Sequence, residues 1–367
     1  MSRPTNNSIA LFIPTLQGGG AERVTLNLAA GFAKAGHEVK LVVPDASGSF
    51  RNEIPAGVTL VDLQAGRVTR ALPALVRFLK KERPAVLLSA LNYANVIALL
   101  AVRLARVDTQ VFVAEHTSIS RTMGSKSPAI RVMVGLMRIL YKKAARVVCV
   151  SEGVAEDLHR IIKIGEHSLK VIYNPILNER MTELAQENVF HSWFGESEPP
   201  VLIGVGRLTG VKDFSNLLRA FALVRKQERS RLMILGEGDE RAHLEALVEE
   251  LGVGDDVWMP GFVGNPYAYI RQSALFVLSS KTEGLPTVLV EALACGTPAV
   301  STDCKSGPAE ILQQGRYGEL VPVGDSPALA DAILRTLRKE TSSEELPDLT
   351  PYTWEYATQQ YLRLFGF

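Results

Sequence analysis

Thiols are scarce in this chain. Cys149, Cys295 and Cys304 are the three cysteines in 367 residues, and no paired or zinc-type spacing links them. Neither a disulfide framework nor a structural zinc is therefore implied, and a reducing compartment fits best. Net charge is also almost absent, with 40 Lys plus Arg against 39 Asp plus Glu, which argues against a protein wrapped around nucleic acid. No Gly-x-Gly-x-x-Gly dinucleotide fingerprint occurs. Nor is there a clean membrane-length apolar run. Pro84 to Val102 carries no formal charge, yet Ser89, Asn92, Tyr93 and Asn95 interrupt it, so it reads as a buried strand, Val86 to Ser89, followed by a core helix from about Ala94 to Arg106. The polar opening before Ile9 lacks a signal-peptide pattern, so a cytoplasmic location is expected.

With 47% hydrophobic residues the chain can bury a large core, and its length suggests two domains. The near-zero net charge hides an asymmetry. Up to Pro175 there are 23 basic and 12 acidic residues, net +11, whereas the remainder holds 17 against 27, net −10. Two domains with different partners, one of them anionic, would produce such a split.

Short apolar runs alternate with amphipathic helical patterns throughout. Ile9 to Pro14, a helix Ala21 to Ala35 stopped by Gly36, and Val39 to Val43 make a βαβ unit, continued by Gln110 to Ala114, Val147 to Ser151 and Lys170 to Tyr173. The rhythm restarts with Val201 to Val205, Leu232 to Leu235, Leu275 to Ser279, Pro298 to Thr302 and Leu320 to Val323. The predicted fold class is α/β, with two Rossmann-like doubly wound parallel sheets facing an interdomain cleft and a joint near Tyr173-Asn174-Pro175. The expected domains are 1–175 plus 352–367, and 176–351.

Three loops could carry chemistry. Gly18-Gly19-Gly20-Ala21-Glu22 leads from a strand into a helix, where free N–H groups and the positive dipole end suit a phosphate, although a plain tight turn would look the same. Gly204-Val205-Gly206-Arg207 to Lys212 places two cations on a glycine-rich loop before a helix Asp213 to Val224, suited to a diphosphate: Arg207 by its planar fork, Lys212 as a point charge. The most specific is Glu283-Gly284-Leu285-Pro286-Thr287 to Glu291, with Pro286 suited to the first helical turn and Gly296 to the stop. One glutamate in the loop and a second inside the helix can read two hydroxylated parts of a ligand, with backbone amides between them for an anion. A polyol joined to a phosphate satisfies all three features.

Together with Val150-Ser151-Glu152, these elements resemble, in order and over nearly the whole chain, the retaining family 4 glycosyltransferases of GT-B fold (glycosyl transferases group 1). The resemblance implies sugar transfer from a nucleotide-diphosphate donor, usually a uridine one. It assigns Gly206, Arg207 and Lys212 to the diphosphate, Glu291 to the ribose, and Glu283 with Gly284, Leu285, Pro286 and Thr287 to the donor sugar and nearest phosphate. Phe262 and Val263 would flank the base, and Gly236 and Gly238 would line the same wall. The loop Gly18, Gly19, Gly20 and Glu22 would serve acceptor or phosphate, and His116 would stand beside the donor sugar, with His116, Glu283, Arg207 and Lys212 as the catalytic set. The segment from Tyr352 to Leu364 is similar to the last family helix, which crosses back onto the first domain. Since the chain has no Asp-x-Asp, transfer is expected to need no metal and no cofactor beyond the nucleotide sugar.

Arg67, Arg70, Arg77, Lys80, Lys81 and Arg83, and then Arg121, Lys126, Arg131, Arg138, Lys142, Lys143 and Arg146, concentrate positive charge in the first half, and no acidic residue lies between His116 and Ser151. Ile130 to Tyr141 adds enough apolar surface for a helix lying in a membrane interface, or for a core helix with snorkelling basic ends. An acceptor that is a glycan or a polyprenyl-diphosphate-linked sugar, met at the inner face of an anionic membrane, fits this half. Two other readings share doubly wound sheets: a nicotinamide-dependent oxidoreductase, which lacks its fingerprint here, and a catalytically silent sugar-nucleotide-binding partner.

Overall fold

The computed structural model describes residues 7–123, 128–338 and 347–367. Lys126 and the side chain of Arg121, both named in the basic segment, lie outside the described residues. The chain divides into two compact units, one running to Ile176 and including Thr350–Phe367, the other Leu177–Leu349.

The first unit contains β1 Ser8–Phe12, α1 Gly20–Lys34, β2 Glu38–Val43, β3 Val58–Asp62, α2 Leu72–Glu82, β4 Val86–Ala90, α3 Asn92–Ala105, β5 Gln110–Glu115, α4 Ile119–Met123, α5 Pro128–Leu140, β6 Arg146–Cys149, α6 Glu152–Ile162 and β7 Leu169–Val171. The second contains α7 Glu179–Ala185, β8 Val201–Val205, α8 Phe214–Arg225, β9 Arg231–Leu235, α9 Arg241–Leu251, β10 Val257–Gly261, α10 Pro266–Gln272, β11 Leu275–Leu278, α11 Thr287–Ala294, β12 Ala299–Thr302, α12 Pro308–Ile311, β13 Glu319–Val321 and α13 Ser326–Arg338. A last helix, α14 Trp354–Phe365, belongs to the first unit.

Both sheets are parallel, as the alternation predicts, in the orders β3-β2-β1-β4-β5-β6-β7 and β10-β9-β8-β11-β12-β13. The central strands β1 and β4 are buried along their whole length, because helices cover both faces of such a sheet. β3 and β10 are absent from the sequence expectation. Both are edge strands whose residues are mostly half-exposed, so they show no continuous apolar run.

Helix α14 folds onto α1. Val24, Leu28 and Phe32 on α1 and Ala357, Tyr361 and Phe365 on α14 recur every four residues and meet in the first core, with Phe32 and Phe365 ring centres 5.7 Å apart. A Cβ on Gly31 would stand 2.1 Å from Thr358 Oγ1, so glycine sets how closely the two helices pack. Thr353 caps α14, its hydroxyl accepting from the Tyr356 amide, and Gly366 at φ +88° ends it.

Candidate active site

In the second unit the strand order reverses between the neighbours β8 and β11. Ligands of doubly wound sheets bind beyond the carboxyl ends of the strands at this switch point. The loops that leave β8 and β11 are two of the three that the sequence singles out.

The β8 loop is built by glycine. Gly206 N–H donates to Leu235 O (2.9 Å) and Leu208 N–H to Glu237 O (2.9 Å), drawing the ends of β8 and β9 together. A Cβ on Gly236, at φ +146°, would lie 2.0 Å from Gly206 O, and one on Gly238 would lie 2.2 Å from Leu208 O. Backbone lies against backbone at both places, which accounts for these glycines before any ligand is invoked. The loop then bends at Asp213, whose φ of +49° is unusual for a side-chain-bearing residue, and α8 starts one residue later than expected, at Phe214.

The β11 loop is locked to it. Lys281 N–H donates to Val211 O (2.8 Å), Ser279 Oγ donates to Lys212 O (2.8 Å), and Thr302 Oγ1 on β12 donates to Ser280 O (2.7 Å). At the centre, Lys212 Nζ and Ser280 Oγ both reach Glu283 Oε1 at 2.7 Å. The pair is largely covered, with side-chain exposures of 22% for Lys212 and 12% for Glu283. Sequence reasoning treats Lys212 and Glu283 as separate ligand contacts. The structure joins them across 71 positions and adds Ser280, a residue that carries no motif signal of its own.

Glu291 sits in the second turn of α11, partly covered, and desolvation pushes its carboxyl up to about 7 while the charge of Lys212 pulls the other way. Burial pushes the Cys304 thiol up to about 12, with Glu283 raising it further and Lys212 opposing. One ammonium therefore acts on Glu283, Glu291 and Cys304. Gly284, Leu285 and Pro286 are buried. Pro286 is the residue before the first helical turn rather than within it, so the amides of α11 start at Thr287. A Cβ on Gly307, at φ +100°, would lie 2.4 Å from Pro286 Cδ, so the segment after β12 lies against this loop. Arg207 is exposed and has no ion-pair partner among the described residues.

Phe262 follows β10 and is 81% exposed, presenting an aromatic face near the carboxyl edge of the same sheet, with Val263 half-buried beside it. Arg241 holds this corner: it pairs with Glu237 (2.6 Å) and donates to Met259 O (3.3 Å). A helical arginine gives no motif signal, so the sequence alone does not mark Arg241.

The remaining sequence candidates belong to the first unit. Glu22 is buried and accepts from Thr15 Oγ1 (2.8 Å), and its Oε2 lies 2.2 Å from where a Gly19 Cβ would be. The start of α1 thus already carries a carboxylate, an anion that competes with phosphate for the helix dipole. His116 follows β5, and burial lowers its pKa to about 4, so the imidazole is neutral at ordinary pH. Among the described residues no group of three or more His, Cys, Asp or Glu is placed to hold a metal ion, and no helix is long and apolar enough to cross a membrane.

Comparison with known proteins follows the division into units. The family described as Glycosyltransferase Family 4 matches residues 18–180, and that described as Glycosyl transferases group 1 matches residues 185–350. The chain is 30% identical over 348 residues, 90% of each chain, to N-acetylgalactosamine-N,N'-diacetylbacillosaminyl-diphospho-undecaprenol 4-alpha-N-acetylgalactosaminyltransferase of Campylobacter jejuni. Among solved structures it is similar to sucrose-phosphate synthase from Thermosynechococcus elongatus (TM-score 0.81, 20% identity, 98% of both chains). Anabaena HepE in complex with UDP and glucose is another (TM-score 0.77, 20% identity, 97% of this chain and 99% of that one).

Proposed function

That the chain belongs to the family 4, group 1 glycosyltransferases, with the GT-B fold and a nucleotide-sugar donor, is the premise from which we propose its reaction: retaining transfer of a sugar from a UDP-sugar to a glycan or polyprenyl-diphosphate-linked acceptor, in the synthesis of a cell-surface polysaccharide or glycolipid. The observation that carries this reading is the cluster of Lys212, Glu283 and Glu291 at the switch point of the second sheet.

When the bond from the anomeric carbon to the diphosphate breaks, positive charge grows on the sugar ring and negative charge on the leaving group. Lys212 and Arg207 stabilise the departing diphosphate, with the amides at the start of α11 adding partial positive charge. Glu283 holds Lys212 in place before the donor binds and then shares it with the phosphate, which frees carboxylate lone pairs for sugar hydroxyls. Glu291 accepts from the ribose hydroxyls, and Phe262 offers a stacking face to the base. For His116 the support is the family resemblance together with its neutral ring, which can accept or donate one hydrogen bond at a sugar hydroxyl. Same-face attack guided by the leaving phosphate accounts for retention. The residues described here supply the positive charge themselves, so the transfer needs no metal, and activity that persists in excess EDTA tests this.

The lipid-linked acceptor draws support from the Campylobacter relative, whose name specifies a diphospho-undecaprenol substrate. It also fits α5. Met133, Val134 and Met137 are buried, whereas Val132, Leu136 and Ile139 recur at helical spacing on an exposed face, with Lys142 and Lys143 exposed just beyond. Arg138 is turned away from that role, donating to Ile161 O at 3.1 and 3.2 Å. We propose that this face rests on an anionic bilayer at the cytoplasmic side, each basic residue contributing about 1 kcal/mol.

A thermal-shift panel of nucleotide sugars tests the donor: at 100 times its dissociation constant the right one stabilises by about 2.7 kcal/mol. No shift with any nucleoside diphosphate, or full activity in Glu283→Ala, would refute the proposal.

A further inference from the structure

The carboxyl end of β5 holds a buried polar cluster for which the reaction above has no use. Glu115, the last residue of the strand, is fully buried. Its Oε1 accepts from Asn95 Nδ2 (3.0 Å) on α3 and from the hydroxyl of Tyr141, which follows α5. Asn95 Nδ2 also donates to Ala114 O (2.9 Å) and lies 3.2 Å from the Tyr141 oxygen. The backbone adds to the knot: Leu91, at φ +76°, donates its N–H to Ala114 O (3.2 Å), and Val150 N–H donates to Glu115 O (3.2 Å). Elements distant in sequence are thereby tied to two consecutive residues, Ala114 and Glu115. The next residue is His116.

Such a cluster is expensive for the fold. Glu115 Oε2, Asn95 Oδ1 and His116 Nδ1 are buried and have no hydrogen-bond partner among the described residues. Each buried polar group left unpartnered keeps its desolvation penalty without return, and apolar side chains of similar shape would avoid that cost. Burial raises Glu115 to about 7 against the pull of its two hydrogen bonds. The titratable groups facing it are Tyr141 and Cys149, both raised by burial and by Glu115 itself, with His116 adjacent in the chain and lowered. None of these supplies a positive charge at ordinary pH, so the carboxyl is held by hydrogen bonds rather than by an ion pair.

We infer that Glu115, gripped by Asn95 and Tyr141, is a positioning residue that fixes the end of β5 and thereby the direction of the His116 imidazole. The inference rests on the functional reading of His116, because a ring with no task would need no such anchor. It requires the acceptor oxygen at Oε1, not a negative charge, so an amide in place of the carboxyl must serve.

The test compares Glu115→Gln, Glu115→Ala and Tyr141→Phe with the parent chain by two measurements. One is the 15N spectrum of the His116 imidazole in the donor-free protein, assigned by its loss in His116→Gln. The other is kcat and KM with the nucleotide sugar that the thermal-shift panel selects. Glu115→Gln is expected to keep the imidazole signals and kcat. Tyr141→Phe and Glu115→Ala should shift or broaden those signals and lower kcat about 10–100-fold while KM stays within about twofold, the mark of a misplaced group rather than a lost binding contact. Should Glu115→Ala fail to fold, Tyr141→Phe, which removes one oxygen, carries the comparison. Unchanged imidazole signals in Tyr141→Phe, or a Glu115→Gln variant as impaired as Tyr141→Phe, overturn the inference. Unchanged kcat in His116→Gln instead sinks the functional reading of the histidine, an outcome the spectra alone keep distinct.

Discussion

Glu291→Gln should make the ligand-free protein more stable and the enzyme worse. Desolvation raises the Glu291 pKa from 4.5 to about 7, and Lys212 only partly offsets that rise. A carboxyl whose folded-state pKa exceeds its unfolded value binds its proton more tightly when folded, so stability is complete below pH 4.5 and declines as pH rises through about 7. The amide cannot ionise and escapes the decline. At about 1.4 kcal/mol for each pH unit between the two pKa values, the gain at pH 8 is capped near 3 kcal/mol. For a domain of this size that corresponds to a midpoint roughly 6–12 °C higher. Urea or thermal melts of parent and variant at pH 5 and pH 8 measure it: the gap should be small at pH 5 and widen toward pH 8. Donor affinity should move the other way, since a hydrogen bond to a charged acceptor is worth about 1.5–3 kcal/mol, or roughly 10- to 150-fold in dissociation constant. A stability difference that does not vary with pH, or a variant less stable than the parent at pH 8, would refute the claim that Glu291 is held at an electrostatic cost for the sake of a ligand.

Lys212→Met should lower kcat/KM by about 100-fold or more, the usual loss for one preorganised charge at a leaving group, and steady-state kinetics with saturating acceptor checks it. Its effect and that of Glu283→Gln should fall short of additive in the double variant, because the two side chains share one contact. Gly236→Ala should abolish donor binding along with stability, since its Cβ has 2.0 Å of room against Gly206 O; a thermal midpoint equal to the parent's would contradict the close approach of the two loops. Phe365→Ala should cost about 3–5 kcal/mol by emptying the contact of α14 with Phe32 and Phe112, read as early unfolding of the first unit. Replacing Lys142 and Lys143 by Glu should release the protein from anionic liposomes in a pelleting assay, and retention on neutral ones would point to the apolar face of α5 alone.

Much of this protein is written in local pattern. Apolar runs four to six residues long, set between helical periods, are enough to specify two parallel sheets, because strands covered on both faces are apolar at most positions. Punctuation was equally legible: Gly36 and Gly296 end helices, and Pro286 marks where α11 begins, to within one residue. The edge strands β3 and β10 leave no such signal, because one side of each meets solvent and the apolar run dissolves. Residue types and spacing also drew attention to Lys212, Glu283 and Glu291. What sequence does not contain is their meeting. The reversal of strand order makes β8 and β11 neighbours, and only then do Lys212 and Glu283 share an ion pair, Ser280 acquire a role, and Glu291 feel both burial and a nearby ammonium. The same holds for Asn95, Glu115 and Tyr141, three residues without motif value until the first sheet and its helices bring them to one carboxyl oxygen. Backbone preference and hydrophobic period act over a few residues, whereas charge pairing and desolvation depend on neighbours that only the folded chain supplies.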